Sequence, residues 1–293
     1  MKPDLTPVHA VTSGEVAGTS YTVYASKSGN AHAPVVLIHG VGMNQSVWAS
    51  QIGPMTTANH TVVVYDMLGH GSSALPPADP TLEDYAAQLE RLLDGLHIGC
   101  AHVVGHSMGA LVALEFALTR APRTLSVSAL NAVYDRTPAQ REAVMSRAAT
   151  LDEAPVDTGV DATLKRWFGD PVPAHLSQAA QAVRQLLLSV NPDGYARTYR
   201  LFACSDDVHI GHLESLSMPA LFLTGECDPN SSPEMSRAMA EAAPLGRVEV
   251  IADARHMMNV SDPTQVTERL LAFFAKAAEQ PATNTPNTGE RHV

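Results

Sequence analysis

Apolar residues follow two alternating rhythms along the chain. Strand-like runs occur at 35–38, which is rich in β-branched residues, and at 61–65, 102–104, 125–130, 221–223 and 248–251, the run at 125–130 alternating in character. The first five are closed by His39-Gly40, Asp66, Gly105, Asn131 and Thr224-Gly225 respectively. Strands that are apolar throughout are covered on both faces, as in a parallel sheet packed between helices. Between these runs the period lengthens to that of a helix. Thr81 and Asp84 form a capping-box-like start, after which Tyr85, Leu89, Leu92 and Leu96 share one face. Leu111, Leu114 and Leu118 do the same before Pro122 stops the helix, and Val266, Leu270, Phe273 and Phe274 mark a last one. Strand and helix in alternation predict an α/β fold with right-handed crossovers and a mostly parallel sheet.

One stretch departs from this alternation. Residues 136–218 contain no strong strand pattern, only helical segments such as 139–149 and 176–190 separated by Pro155, Pro171, Pro173 and Pro192. About 80 residues is too long for one crossover, which needs a dozen or more. The organisation expected is a core from 1–135, a helical lid from 136–218, a second core part from 219–278 and a disordered polar tail from 279–293.

Composition then narrows the function. Of 293 residues, 45% are hydrophobic, enough to bury a large core, and the formal net charge of −11 argues against nucleic acid or an anionic membrane as a partner. Cys100, Cys204 and Cys227 make no paired framework and no zinc-binding spacing, which points to a reduced cytoplasmic setting without a structural metal. The first residues lack an apolar signal core, and no run is long enough to span a membrane.

The chemistry begins at Gly105-His106-Ser107-Met108-Gly109, between a predicted strand and a predicted helix. A serine on so sharp a turn needs neighbours without side chains, and the helix start offers free N–H groups to developing negative charge. Ser107 needs a base, and the base needs an orienting acid. Among 13 histidines, His256 alone combines the end of a last strand with a following C-terminal helix. The acid is expected after the strand that ends near Thr224; Asp228 is preferred, with Glu226 and Asp135 as rivals, while Asp253 lies too close to His256 in sequence. The turn His39-Gly40-Val41-Gly42 would bring backbone N–H groups to a substrate oxygen, so Val41 and Met108 are the expected oxyanion donors, worth ~3–4 kcal/mol each in known cases.

With these motifs on the page, the chain resembles a lidded bacterial α/β-hydrolase over about residues 20–278. The resemblance is carried by His39-Gly40, the run from Asp66 to Ser73, the Ser107 turn, Gly225 to Asp228, and His256. Leu68 departs from it, since many relatives carry arginine there. Lys165-Arg166-Trp167-Phe168 and the stretch 191–196 also resemble segments of 3-oxoadipate enol-lactonases, which open small acidic lactones. The resemblance implies a cofactor-free serine hydrolase of a small ester or enol-lactone, with amide or C–C bond hydrolysis by the same residues as the rival. A non-hydrolytic receptor or a cofactor-free oxygenase is the alternative from another class. The candidate substrate-binding residues are Gly40, Gly42 and Trp167, together with Arg197 or Arg200 if the substrate carries a carboxylate, the alternative for these two arginines being exposed helix charge. Trp167 and Phe168 could supply an apolar wall above Ser107, while Trp48, Trp167, Met257 and Met258 line the pocket or pack the core, with core preferred.

Overall fold

A computed structural model describes residues 12–27, 31–152 and 159–279. The expected tail from 280 onward and the first eleven residues lie outside the described residues. Eight strands form one sheet, β1 (Thr12–Val16), β2 (Thr19–Tyr24), β3 (His32–Ile38), β4 (His60–Tyr65), β5 (Ala101–His106), β6 (Thr124–Leu130), β7 (Ala220–Gly225) and β8 (Gly246–Ile251), in the order β1-β2-β4-β3-β5-β6-β7-β8. β4 through β8 and β3 run parallel and coincide with the six apolar runs. β1 and β2 form an antiparallel edge that no apolar run announces; β1 is almost wholly exposed and β2 is only partly buried.

Alternation along the strands divides the interior into two layers. Val36, Ile38, Val63, Tyr65 and Val103 face one side and pack on Leu89 of α2 (Leu82–Gly95) and Leu111 and Leu114 of α3 (Met108–Thr119). Val35, Leu37, Val62, Val64 and Val104 face the other and pack on Ile52 and Met55 of α1 (Ala49–Thr57) and on Leu270 and Phe274 near the C-terminus. Trp48, Met257 and Met258 belong to this second layer. The expected capping box starts α2: Asp84 N–H donates to Thr81 Oγ1 at 3.3 Å, and Thr81 N–H to Asp84 Oδ2 at 2.7 Å. α3 is buried on nearly every side, which suits a helix running under the centre of the sheet.

Between β6 and β7 the described residues make only helices: α4 (Pro138–Ala149), α5 (Val160–Phe168), α6 (Ser177–Leu188) and α7 (Pro192–Ala203), with short 3₁₀ turns. The two ends of this insertion are tied together. Arg136 N–H donates to Asp206 Oδ2 at 2.9 Å, its guanidinium pairs with Asp206 Oδ1 at 3.2 Å, and it lies over the Phe202 ring at 4.7 Å. Arg141 adds a second ion pair to Asp206 at 2.8 Å. After β7, α8 (Pro233–Ala242) precedes β8, and α9 (Met258–Ser261) and α10 (Pro263–Glu279) end the described chain. Glu279, placed in the tail from sequence, is the last residue of α10. No helix among the described residues is long and apolar enough to cross a membrane.

Candidate active site

Ser107 stands between β5 and α3 with φ 56° and ψ −118°, a conformation that few non-glycine residues adopt. The turn closes only because its flanks are bare. A Cβ on Gly105 would overlap the Gly109 carbonyl, and one on Gly109 would overlap the carbonyls of Ile38 and His39. The serine is held by its N–H, which donates to Leu130 O of β6 at 2.8 Å.

His256, on the loop after β8, meets Ser107 Oγ through Nε2 at 3.2 Å and Asp228 Oδ2 through Nδ1 at 2.8 Å. All three side chains are buried. Asp228, after β7, also accepts from Asn131 Nδ2 at 2.8 Å, Ser231 Oγ at 3.0 Å and Asn230 N–H at 2.8 Å. Burial works to raise its carboxyl, but the His256 ring and these donors outweigh it and hold it below the usual carboxylate value. His106 Nε2 donates to the His256 carbonyl at 2.8 Å and so fixes the backbone that carries the ring. Burial, reinforced by His256, pushes His106 down to about 3, so it stays neutral. The rival acids lie elsewhere: Glu226 is exposed and accepts from Asp253 N–H, and Asp135 N–H donates to Asp206 O.

Val41 lines the cavity above Ser107, and Met108 opens α3. Neither backbone N–H donates to an acceptor among the described residues. Gly40 packs against the serine, where an added Cβ would come within 3.2 Å of Ser107 Cβ. Gly42 takes φ +77° and spends its N–H on His70 Nε2 at 3.0 Å, and neither glycine reaches the cavity wall. Leu68, the departure from the arginine of many relatives, is buried in the core and gives its N–H to Gln88 Oε1 at 3.0 Å.

The cavity measures about 160 Å³, and its floor holds Ser107 and His256. Helices α4, α5 and α7 supply most of the rest, including Trp167, whose ring lies 5.4 Å from that of His256. Phe168 turns away and is buried in the second core layer, so only one of the two expected wall aromatics is in place. The arginine expectation is corrected as well. Arg197 donates to Pro76 O at 2.8 Å, and neither it nor Arg200 lines the cavity; Arg136, Arg147 and Arg166 do. Helix phase explains the difference. On α7 the cavity-facing residues are Tyr195, Tyr199 and Phe202, spaced by four and three, and Arg197 and Arg200 fall off that stripe. On α4 the stripe is Gln140, Ala143, Val144 and Arg147, a spacing readable in the sequence that would have found Arg147.

The three arginines differ in their ties. Arg136 is already paired with Asp206. Arg147 Nε donates to Tyr199 OH at 3.1 Å, and Arg166 Nη2 to Thr163 Oγ1 at 3.3 Å. Among the described residues no carboxylate pairs with Arg147 or Arg166, and Arg166 Nε is buried without a hydrogen-bond partner. Burial and then the nearby Arg147 charge lower the Arg166 guanidinium from its ordinary value.

Comparison with known proteins agrees with this architecture. Residues 35–269 match the alpha/beta hydrolase family. Over 262 residues the chain is 37% identical to the (E)-2-((N-methylformamido)methylene)succinate hydrolase of Acinetobacter baylyi, covering 87% of this chain and 98% of that protein. It is 27% identical to 3-oxoadipate enol-lactonase 1 of the same organism, covering 94% and 100%. The enol-lactonase structure from Burkholderia xenovorans superposes with a TM-score of 0.80 at 26% identity, covering 90% of this chain and all of that one (100%). Sheet order, Ser107 turn and relatives together place the chain in the α/β-hydrolase family, as an enzyme that hydrolyses small molecules.

Proposed function

We propose that this hydrolase works without a cofactor, as a serine enzyme that cleaves a small carboxylate-bearing ester or enol-lactone through an acyl-enzyme. The observation that carries the reading is the continuous Asp228–His256–Ser107 hydrogen-bond chain beneath a cavity walled by two arginines that pair with no described carboxylate. Ser107 Oγ attacks the carbonyl as His256 Nε2 takes its proton. Asp228 holds the ring through Nδ1 and stabilises the imidazolium. The N–H groups of Val41 and Met108 receive the oxyanion. His256 returns the proton to the leaving oxygen, and water then attacks the acyl group by the same path. Arg147 and Arg166 hold the substrate carboxylate, and α4–α7 act as the lid that sets substrate choice.

Amide cleavage is the second reading. It is favoured by the 37% identical relative, whose name describes an amide nitrogen joined to succinate through a methylene carbon. The same residues serve both reactions, with the proton going to a leaving nitrogen instead.

The test has two arms. A fluorophosphonate probe should label the wild-type protein on Ser107 and leave Ser107→Ala unlabelled. A panel of acidic enol-lactones, acidic enamides and their neutral methyl esters should show turnover of the acids over the esters. Labelling of Ser107→Ala would overturn the nucleophile, and preference for the neutral esters would overturn the substrate class.

A further inference from the structure

A backbone N–H points along a line set by its peptide plane, because the C–N bond does not rotate freely. The Val41 N–H shares its plane with the Gly40 carbonyl and points away from it. That carbonyl accepts from His39 Nδ1 at 2.8 Å and from Met43 N–H at 3.2 Å. The next plane, between Val41 and Gly42, is held by Gly42 N–H donating to His70 Nε2 at 3.0 Å. Both rings are anchored on the loop after β4. Met67 N–H donates to His39 Nε2 at 2.9 Å, and His70 Nδ1 donates to Leu68 O at 3.1 Å. The rings meet edge-on with centroids 5.2 Å apart. Each therefore donates at Nδ1 and accepts at Nε2, which only the neutral Nδ1–H tautomer can do.

We propose that His39 and His70 are positioning residues that aim the Val41 N–H at the oxyanion by clamping the two peptide planes that flank the Val41 Cα, the first of which carries that N–H. The inference rests on the reading of Val41 as an oxyanion donor. Neither ring lines the cavity, so neither touches the substrate. The clamp also gives the run from Asp66 to Ser73 a task, since that loop supplies the Met67 N–H and the Leu68 carbonyl. Protonation would turn Nε2 into a donor facing another donor and free the plane. Burial opposes this, holding His39 down to about 4 and His70 down to about 3. The titratable groups facing the pair are Asp66, beside His70, and His106, beside His39, in addition to each other.

The test compares His70→Gln, which keeps an acceptor near the Nε2 position, with His70→Leu, which does not. The substrate is p-nitrophenyl acetate. For His70→Leu, kcat should fall about 10- to 100-fold with KM within about twofold, part of the loss seen when a whole oxyanion donor is removed. His70→Gln should recover most of that loss. In the wild-type protein, long-range ¹H–¹⁵N spectra at pH 7 should show both rings as the Nδ1–H tautomer, a readout that stands even where His70→Leu does not fold. The clamp is overturned by an unchanged kcat in His70→Leu, by His70→Gln performing no better than His70→Leu, or by an Nε2–H tautomer in either ring. Ser107→Ala separates the two failures. If that variant keeps hydrolysis, the reading of the site is wrong; if it loses hydrolysis while His70→Leu keeps it, only the clamp is wrong.

Discussion

Replacing Arg166 with methionine should make the free enzyme more stable and a worse catalyst for acids. Among the described residues, Arg166 Nε is buried without a hydrogen-bond partner, and the guanidinium shares a small cavity with Arg147 and no carboxylate. An unpaired buried donor costs ~1–3 kcal/mol, more for a charged group, and the like charge nearby adds to that. Methionine keeps the length and apolar stem while removing both terms. The gain should be at the low end, about 1 kcal/mol, because the group is only part-buried, and it should raise Tm by about 2 °C for a chain of this size. The opposite sign is expected when substrate is bound. A hydrogen bond between charged groups contributes ~1.5–3 kcal/mol, so kcat/KM for an acidic enol-lactone should fall about 10- to 100-fold. Its methyl ester should be affected far less.

The assay is thermal unfolding of both proteins without ligand, followed by steady-state kinetics on the acid and the ester. A lower Tm together with equal losses on the two substrates would make Arg166 a structural strut and refute the reasoning. A stabilising change that harms function is the trade-off expected where an active site stores unfavourable charge.

Ser107→Ala should lower kcat by about 10⁶ while circular dichroism and Tm stay close to wild type, as removal of a triad nucleophile does elsewhere. Asp228→Asn should cost about 10⁴ in kcat, and Glu226→Gln and Asp135→Asn should cost little; a larger loss from Asp135→Asn would move the acid to the end of β6. Asp206→Asn should lower stability by up to ~3–5 kcal/mol in denaturant melts, because it leaves Arg136 buried beside a neutral amide; an unchanged midpoint would show that the tie between the ends of the insertion carries no stability. Stability should also fall with pH below neutrality. Burial pushes His39 and His102 down to about 4 and His70 and His106 down to about 3, so below their ordinary value the unfolded chain binds more protons than the folded one. Stability is then full above pH ~6.5 and declines by ~1.4 kcal/mol per pH unit for each ring as pH drops toward 4, and a flat profile in denaturant melts at pH 7, 6 and 5 would refute it.

The parallel strands were legible as short apolar or alternating runs, continuous where a strand is buried on both faces, as in β4, β5 and β7, alternating in β6, and only partly buried in the edge strand β8. β1 and β2 were not, because an edge that faces water carries residues such as Thr12, Ser13 and Thr22, whose pattern is that of a loop. α1 was hidden by Gly53 and Pro54, which stand in its interior past the first turn and read as helix breakers. The Ser107 turn was legible because its glycines are demanded by overlap with specific carbonyls, a constraint that no other residue type meets. Substrate recognition was not. Arginine is common on exposed helix faces, and only the phase of α4 and α7 against the sheet decides which one looks inward. Asn131 and Ser231 were missed for a related reason. Their task is to donate to Asp228, and strand ends and the loops after them carry asparagine and serine for many purposes.

Four histidines surround the reacting groups, and their partners divide the labour among them. His39, His70 and His106 each give a ring N–H to a backbone carbonyl. A carbonyl orients a ring but does little to stabilise its cation, and burial drives all three toward neutrality. His256 is as deeply buried, yet its Nδ1 faces a carboxylate, and that carboxylate is itself held ionised by three further donors. Under the proposed mechanism, a cation formed when Ser107 gives up its proton would therefore be compensated at this ring and at none of the others. Exchanging the partners would exchange the roles. Asp228→Asn should leave the His256 ring without a carboxylate to stabilise its cation, so its loss of rate should come without a matching loss of the fold.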